Sequence, residues 1–331
     1  MGLPSGQELR EVAHVVALPL VTRFRGIDVR EAVLLRGPSG WTEFAPFVGY
    51  DDTEASTWLA AAIDYGWGVE PSLVRDVIPV NATLPAVDPS EIAGVLDRFG
   101  ATRTVKVKVA ERGQTLADDV ARVRAVRERL GPAGRIRVDA NGGWNVDEAE
   151  HAAHALAPYD LEYLEQPGAW VPELAEGRAR LRVWLLPIAA DESVRKAADP
   201  LAVVAAGAAD LLVVKAAPLG GIAAALRIVA ASGLPAVVSS ALDTSVGLAM
   251  GARLAAALPE LDYDCGLGTA ALLAADVTPH PLVPREGRIP VERVDADPDL
   301  LDRWAAPTER RDWWLARVER CLDHLADLAA S

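Results

Sequence analysis

T-V-K-V-K-V at 104–109, R-V-D-A-N at 137–141, Y-L-E-Q-P at 163–167, A-D-E-S at 190–193 and L-L-V-V-K at 211–215 share one grammar. Each is a short aliphatic run that stops on an ionisable residue, with a helix-like segment before the next. A strand that ends on a charge, repeated through a βα rhythm, is how a site is assembled at the C-terminal mouth of a parallel barrel. Counting strand ends at Lys108, Asp139, Glu165, Asp191 and Lys215, the steps are 31, 26, 26 and 24 residues. The rhythm extends upstream to V-I-P-V-N, ending at Asn81, and downstream to P-A-V-V-S and L-D-Y-D, ending at Ser239 and Asp264. Eight candidate strands result, each step close to the ~30 residues of one βα unit.

In a closed eight-stranded barrel the third, fourth and fifth strands are neighbours, so Asp139, Glu165 and Asp191 converge. The second and sixth lie opposite, so Lys108 and Lys215 face each other across the mouth. Converging carboxylates repel unless a cation sits among them, and an oxygen-only donor set favours Mg²⁺, with Mn²⁺ as a substitute. Two lysines beside such an ion suggest proton transfer next to a stabilised anion. Any one of these residues alone reads more simply as a solvated surface group; five in one rhythm do not.

The 331 residues suit a barrel plus a smaller domain. Composition is globular, 51% hydrophobic and 24% charged. A net charge of −14 argues against a nucleic-acid partner. It does not argue against a small anionic substrate, because a local metal and lysines outweigh a distant surface field. Cys265 and Cys321 form no framework and no CxxC pair, so a reduced, cytoplasmic setting is expected. The decapeptide M-G-L-P-S-G-Q-E-L-R has no basic segment followed by an apolar core, and the longest apolar run, 216–226, is too short to span a bilayer. No membrane partner is expected.

Residues 11–36 read as two strands joined by T-R-F-R-G, 41–47 as a third, and 53–65 as an N-capped helix. The loop Arg23–Gly26 is either a lid with Arg25 binding an anion or an ordinary hairpin with solvated arginines. Helices are expected at 115–130 and 147–156; the latter carries His151 and His154 one turn apart, as a solvated face away from the mouth. After 284 the chain turns polar, then ends in a helix at 309–329 with Trp313 and Trp314. The expected division is a capping domain over 1–75, a barrel over 76–283, and a segment at 284–331 that packs back on the cap.

These motifs resemble the enolase superfamily and, within it, the muconate lactonising enzyme subgroup. The K-x-K at 106–108, the D…E…D ladder, L-E-Q-P, A-D-E-S and Lys215 carry the resemblance. Four further runs are similar to the o-succinylbenzoate synthase family: 24–37, V-V-K-A-A-P-L-G-G at 213–221, V-S-S-A-L-D-T-S-V-G-L-A at 238–249 and C-G-L-G-T-A at 265–270. The resemblance implies an α/β fold, a modified TIM barrel of (β/α)7β form with an N-terminal α+β capping domain completed by the C-terminal tail. It implies a Mg²⁺-dependent lyase of menaquinone biosynthesis, with Asp139, Glu165 and Asp191 as metal ligands. Lys108 is then the acid/base, Lys215 the cation facing an enediolate, and Lys106 the support for Lys108. Arg25, Asn81, Asn141, Ser239, Ser240, Gly268 and Thr269 become substrate-binding candidates, although Gly266–Thr269 also reads as a tight turn. Asp262-Tyr263-Asp264 resembles the D-x-D with which dipeptide epimerases of the same subgroup hold an ammonium. An epimerase or N-acylamino acid racemase is therefore the alternative reading, and a barrel that only binds is a distant one.

Overall fold

The computed structural model describes residues 3–196 and 199–330; Met1 and Gly2 of the N-terminal decapeptide lie outside them. Twelve strands follow in chain order: β1 Ala13–Phe24, β2 Ile27–Gly37, β3 Gly40–Phe44, β4 Val77–Pro79, β5 Ala82–Leu84, β6 Thr104–Lys108, β7 Arg135–Asp139, β8 Leu161–Glu165, β9 Ile188–Ala190, β10 Leu211–Val214, β11 Ala236–Val238 and β12 Arg288–Pro290. The first three form an antiparallel sheet, and the helix Asp52–Trp67 packs on it, capped by the Asp51 carboxylate accepting from Glu54 N.

β5 to β11 form one parallel sheet in sequential order. Single bridges Val80↔Cys265 and Ser239↔Gly266 close it, so the segment around Cys265 is the eighth stave and the barrel is (β/α)7β. Two expectations change here. The first stave takes only the end of the expected 77–81 run, Val80 and Asn81 beside Cys265, and continues into β5, while β4 at the start of that run pairs antiparallel with β12. A three-residue apolar run carries no mark of which sheet it will join. The eighth stave runs through Cys265 and Gly266, beyond Asp264 rather than ending at it.

Strand alternation sorts the barrel. Val105, Val107, Ile136, Val138, Leu164, Ile188, Leu212 and Val214 belong to the main core with the surrounding helices. Their alternates Tyr163, Ala189, Leu211, Val213 and Val237 form a separate cluster that fills the lumen. Among the described residues no helix is long and apolar enough to cross a membrane.

The terminal helix Thr308–Ala330 lies against helix Asp52–Trp67 and β1. Trp314 is buried edge-on to Phe44 and donates to Glu31 at 3.0 Å. The 20s residues form the tight β1–β2 turn, with Arg25 at φ 51 and Gly26 at φ 80, conformations that a turn of this length requires.

Asp264 lies at the opposite end of β6 from Lys108. Its carboxylate accepts from Arg103 Nη2 at 2.7 Å, Arg103 Nε at 3.0 Å and Thr104 Oγ1 at 2.6 Å. Burial raises this carboxyl, but those donors outweigh it and hold it below the usual aspartate range. A group depressed in the folded state contributes stability above its unfolded pKa and loses it as pH falls through the folded one. Asp264→Asn is expected to cost about 1.5–3 kcal/mol at neutral pH, with the gap to wild type narrowing below pH ~4. Urea unfolding at pH 7 and 3.5 measures both; equal stability at neutral pH would remove Asp264 from this role.

Candidate active site at the barrel mouth

Sheet register builds the site. Lys108 pairs with Asp139 and Asp139 with Glu165 across β6, β7 and β8, so the three side chains stand level and face inward. Asp191 follows β9 directly and Lys215 follows β10. Asp139 and Glu165 are fully buried, Asp191 is 1% exposed, and Lys106, Lys108 and Lys215 are each below a tenth.

In this desolvated space every carboxylate is paired with an ammonium. Lys106 Nζ lies 3.0 Å from Glu165 and 3.5 Å from Asp139. Lys108 bonds Asp139 and donates to Asn141 Oδ1 at 2.8 Å. Lys215 bonds one oxygen of Asp191, and Arg195 Nε donates to the other at 3.0 Å. The ammonium groups separate the acids: among the described residues no three Asp, Glu, His or Cys side chains gather closely enough to enclose an ion unaided.

The titration behaviour follows from this sharing. Burial alone would raise Asp139, but Lys108 and Lys106 hold it well below the carboxylate range. Burial is likewise outweighed at Asp191 by Lys215 and Arg195. Glu165 is pushed up to about 7 by burial and by the charge of Asp139, against the pull of Lys106. Lys106 is held above its ordinary value because Glu165 and Asp139 outweigh its burial. Lys215 is pulled down by burial, and the Arg195 charge adds to that against Asp191. Glu165 is therefore the carboxylate with the least compensating positive charge.

A cavity with about 380 Å³ of space opens on these groups. Lys106, Lys108, Asp139, Asp191 and Lys215 form its floor; Phe24, Arg25 and Phe47 from the antiparallel layer roof it. Ser239, Ser240, Ala241, Leu242, Gly266 and Thr269 form one wall. Ser240 Oγ shares a 2.8 Å hydrogen bond with Thr269 Oγ1, and donates to Gly266 O at 2.8 Å. Arg25, Ser239, Ser240 and Thr269 thus reach the cavity.

Glu165 does not line it, since both its carboxylate oxygens accept from Lys106, and three of the substrate-binding candidates do not line it either. Asn81 is sealed in the lumen, accepting from Arg137 Nη1 at 3.1 Å, because β5 starts one residue after it. Thr83 takes the place expected of it. Gly268 faces Pro284 and Phe99, and Gly266 faces Ser239, where a Cβ would meet Ser239 Oγ at 2.5 Å. Asn141 stands behind Lys108 rather than at the cavity wall. His151 and His154 lie exposed on the helix Val146–Leu156, and Asp262 is exposed on the chain leading into the eighth stave.

Sequence reasoning missed the residues that hold the roof. Arg30 is 2% exposed and donates to Ala45 O and, at 3.1 Å, to Leu242 O, joining β2 to the cavity wall. Its guanidinium lies 4.8 Å from the Phe47 ring. Glu43 accepts from Thr244 N at 3.0 Å and from the Thr244 hydroxyl. Burial and Asp243 push Glu43 up to about 8. An arginine inside an alternating strand carried no signal that its partner lay about two hundred residues away, at Leu242.

Comparison with known proteins agrees with this architecture. Residues 90–296 match the enolase C-terminal domain-like family and residues 15–66 the enolase N-terminal domain-like family. The chain is 55% identical over 321 residues to o-succinylbenzoate synthase of Mycolicibacterium smegmatis, covering 97% of this chain and 98% of that protein. It is 54% identical over 328 residues to the o-succinylbenzoate synthase of Mycobacterium leprae, covering 99% and 96%. Among solved structures, muconate lactonizing enzyme from Pseudomonas fluorescens superposes with a TM-score of 0.74 at 22% identity, covering 89% of this chain and 98% of that one. The L-Ala-D/L-Glu epimerase from Bacillus subtilis gives 0.70 at 22% identity, over 86% and 96%. At that identity both superpositions speak to the fold alone. With most of the barrel matched by the family model and more than half of the residues shared with full-length relatives, the chain belongs to the o-succinylbenzoate synthase family of the enolase superfamily.

Proposed function

We propose that this protein is an o-succinylbenzoate synthase, a carbon–oxygen lyase that removes water from 2-succinyl-6-hydroxy-2,4-cyclohexadiene-1-carboxylate in menaquinone biosynthesis. The observation that carries the mechanism is one cavity into which Lys108 and Lys215 enter from β6 and β10, two strands on different sides of the barrel. Lys108 takes the proton α to the ring carboxylate, leaving an enediolate. It then returns that proton to the 6-hydroxyl on the same face, so the C–O bond breaks and water leaves syn. Lys215 is the preorganised cation beside the developing charge. Lys106 stays protonated between Glu165 and Asp139 and fixes both. Phe24, Phe47 and Leu242 provide an apolar slot for the ring, and Ser239, Ser240, Thr269 and Arg25 polar contacts for the succinyl arm.

The donor set suits a hard divalent cation. Three buried carboxylates supply only oxygen, and Glu165, driven up to about 7, marks where positive charge is short. Asp139, Glu165 and Asp191 would hold Mg²⁺. When bound, the ion supplies charge neutralisation at the substrate carboxylate. Neither Asp262 nor Asp264 lines the cavity, so the paired carboxylates that a dipeptide ammonium needs are not there. We also read residues 1–75 and 284–331 as one cap around a barrel of 76–283, supported by the packing of the terminal helix on Asp52–Trp67. A cytoplasmic setting accords with two buried, unpaired cysteines.

The purified chain is expected to convert the cyclohexadiene to the aromatic product, followed by its absorbance, to stop in excess chelator, and to recover with Mg²⁺ or Mn²⁺. Undiminished turnover in chelator would dismiss the metal. Asp191→Asn is expected to weaken Mn²⁺ binding by about tenfold or more in titration calorimetry, with circular dichroism unchanged. Lys108→Ala and Lys215→Ala are each expected to lower kcat by about 10²–10⁴ without loss of fold. Near-wild-type turnover by Lys108→Ala would end the proposed mechanism. Rapid epimerisation of Ala-Glu dipeptides without dehydration would overturn the assigned reaction.

A further inference from the structure

Glu192 has no part in the mechanism so far, yet it stands where three pieces of the site meet. It follows Asp191, opens the one-turn helix Glu192–Arg195, and its side chain is only 15% exposed. One oxygen, Oε1, receives Arg195 Nη2 at 2.7 Å, Asn141 Nδ2 at 3.2 Å and Arg25 Nη2 at 3.5 Å. The other, Oε2, is buried with no partner. A half-satisfied buried carboxylate is costly, and what it gains is a fixed point shared by three donors.

Each donor leads elsewhere. Arg25 is the tip of the β1–β2 turn, held left-handed and laid over the Phe47 ring at 5.1 Å. Asn141, also left-handed, accepts from Lys108 Nζ at 2.8 Å through Oδ1 while donating to Glu192 through Nδ2. That double contact sets the orientation of the amide. Flipped, it would turn its NH₂ toward the ammonium and its oxygen toward the carboxylate. Glu192 therefore sets which way Asn141 faces, and Asn141 joins Asp139 in holding Lys108.

We propose that Glu192 is a positioning residue that latches the Arg25 turn over the cavity and, through Asn141, ties that closure to the placement of Lys108. This deepens the assigned reaction and rests on Lys108 as its acid/base. An anionic arm arriving under the turn competes with Glu192 for Arg25, the longest of the three contacts. The turn is thus held closed over a filled site by the substrate and over an empty one by Glu192.

The test reads the latch with and without turnover. Arg25–Gly26 is a tryptic bond in a surface turn, and Arg112 in an exposed loop gives a reference bond in the same molecule. In Glu192→Gln, an isosteric change, cleavage after Arg25 relative to Arg112 is expected to rise at least about threefold, with KM about threefold lower because the arm no longer displaces Glu192 from Arg25. Glu192→Ala is expected to lower kcat by about tenfold as well, since Asn141 loses its orienting acceptor. Asn141→Ala should lower kcat by a similar factor while leaving the cleavage ratio at the wild-type value. In the pair Arg25→Met with Glu192→Gln the KM effects should fail to multiply. A wild-type cleavage ratio in both Glu192 variants would overturn the latch, whether or not the chain dehydrates its substrate. Undiminished kcat in Asn141→Ala would overturn the link to Lys108.

Discussion

Three carboxylates and three ammonium groups share a mouth from which water is nearly excluded, and neither set is tolerable without the other. Moving one such charge into a dry interior unpaired costs several kcal/mol even after relaxation. The register of β6, β7 and β8 sets Lys108, Asp139 and Glu165 side by side, and β9 and β10 bring Asp191 and Lys215 to the same opening. Beneath them the lumen is closed by Tyr163, Ala189, Leu211, Val213 and Val237, so the charged layer rests on a packed floor. Its charges do not balance evenly: Asp139 and Asp191 are held ionised, whereas Glu165 is left short.

The roof depends on the chain's far ends. Phe47 and Tyr50 lie on the loop between β3 and the first long helix, and the terminal helix holds that loop through Arg317. Arg317 donates to the carbonyl of Phe47 at 3.3 Å and to that of Tyr50. The Tyr50 hydroxyl in turn accepts from Arg195 Nη1 at 3.0 Å, and Arg195 bonds Asp191. A path of three contacts therefore runs from the last helix of the chain to a carboxylate on the cavity floor. Arg30 and Glu43 form a second path, from β2 and β3 to Leu242 and Thr244 on the opposite wall. The antiparallel layer sets the shape of the cavity, while the barrel supplies its chemistry.

The same geometry leaves Asp262 and Asp264 off the cavity. An ammonium-binding pair at 262 and 264 looked plausible from spacing, since residues two apart on a strand share a face. Asp264 instead serves Arg103 and Thr104 at the closed end of β6, and its main-chain carbonyl accepts from Arg137. What spacing cannot convey is height along a stave. Asp264 precedes the two bridging residues that close the barrel, so it enters the wall from below.

The sequence by itself determined the βα order, the strand-end charges and the alternation that sends valines outward and ionisable groups inward. These are local properties: a strand's period and a helix's cap are written within a few neighbouring residues. Asn81 sits deeper in the lumen than the cavity, Gly268 turns to Pro284 and Phe99, and β4 pairs with β12, because neither depth along a stave nor the partner of a short strand is written in a few residues. Glu192, Arg195, Arg30 and Glu43 were invisible for a related reason. Each finds at least one partner on a distant element or close behind a site residue, and a charge in a sequence does not say what it will meet. Barrel closure, the stagger of the staves and the docking of the terminal helix made those meetings. Such long-range contacts are settled only when the whole chain packs, and they decided which of the legible charges face one another.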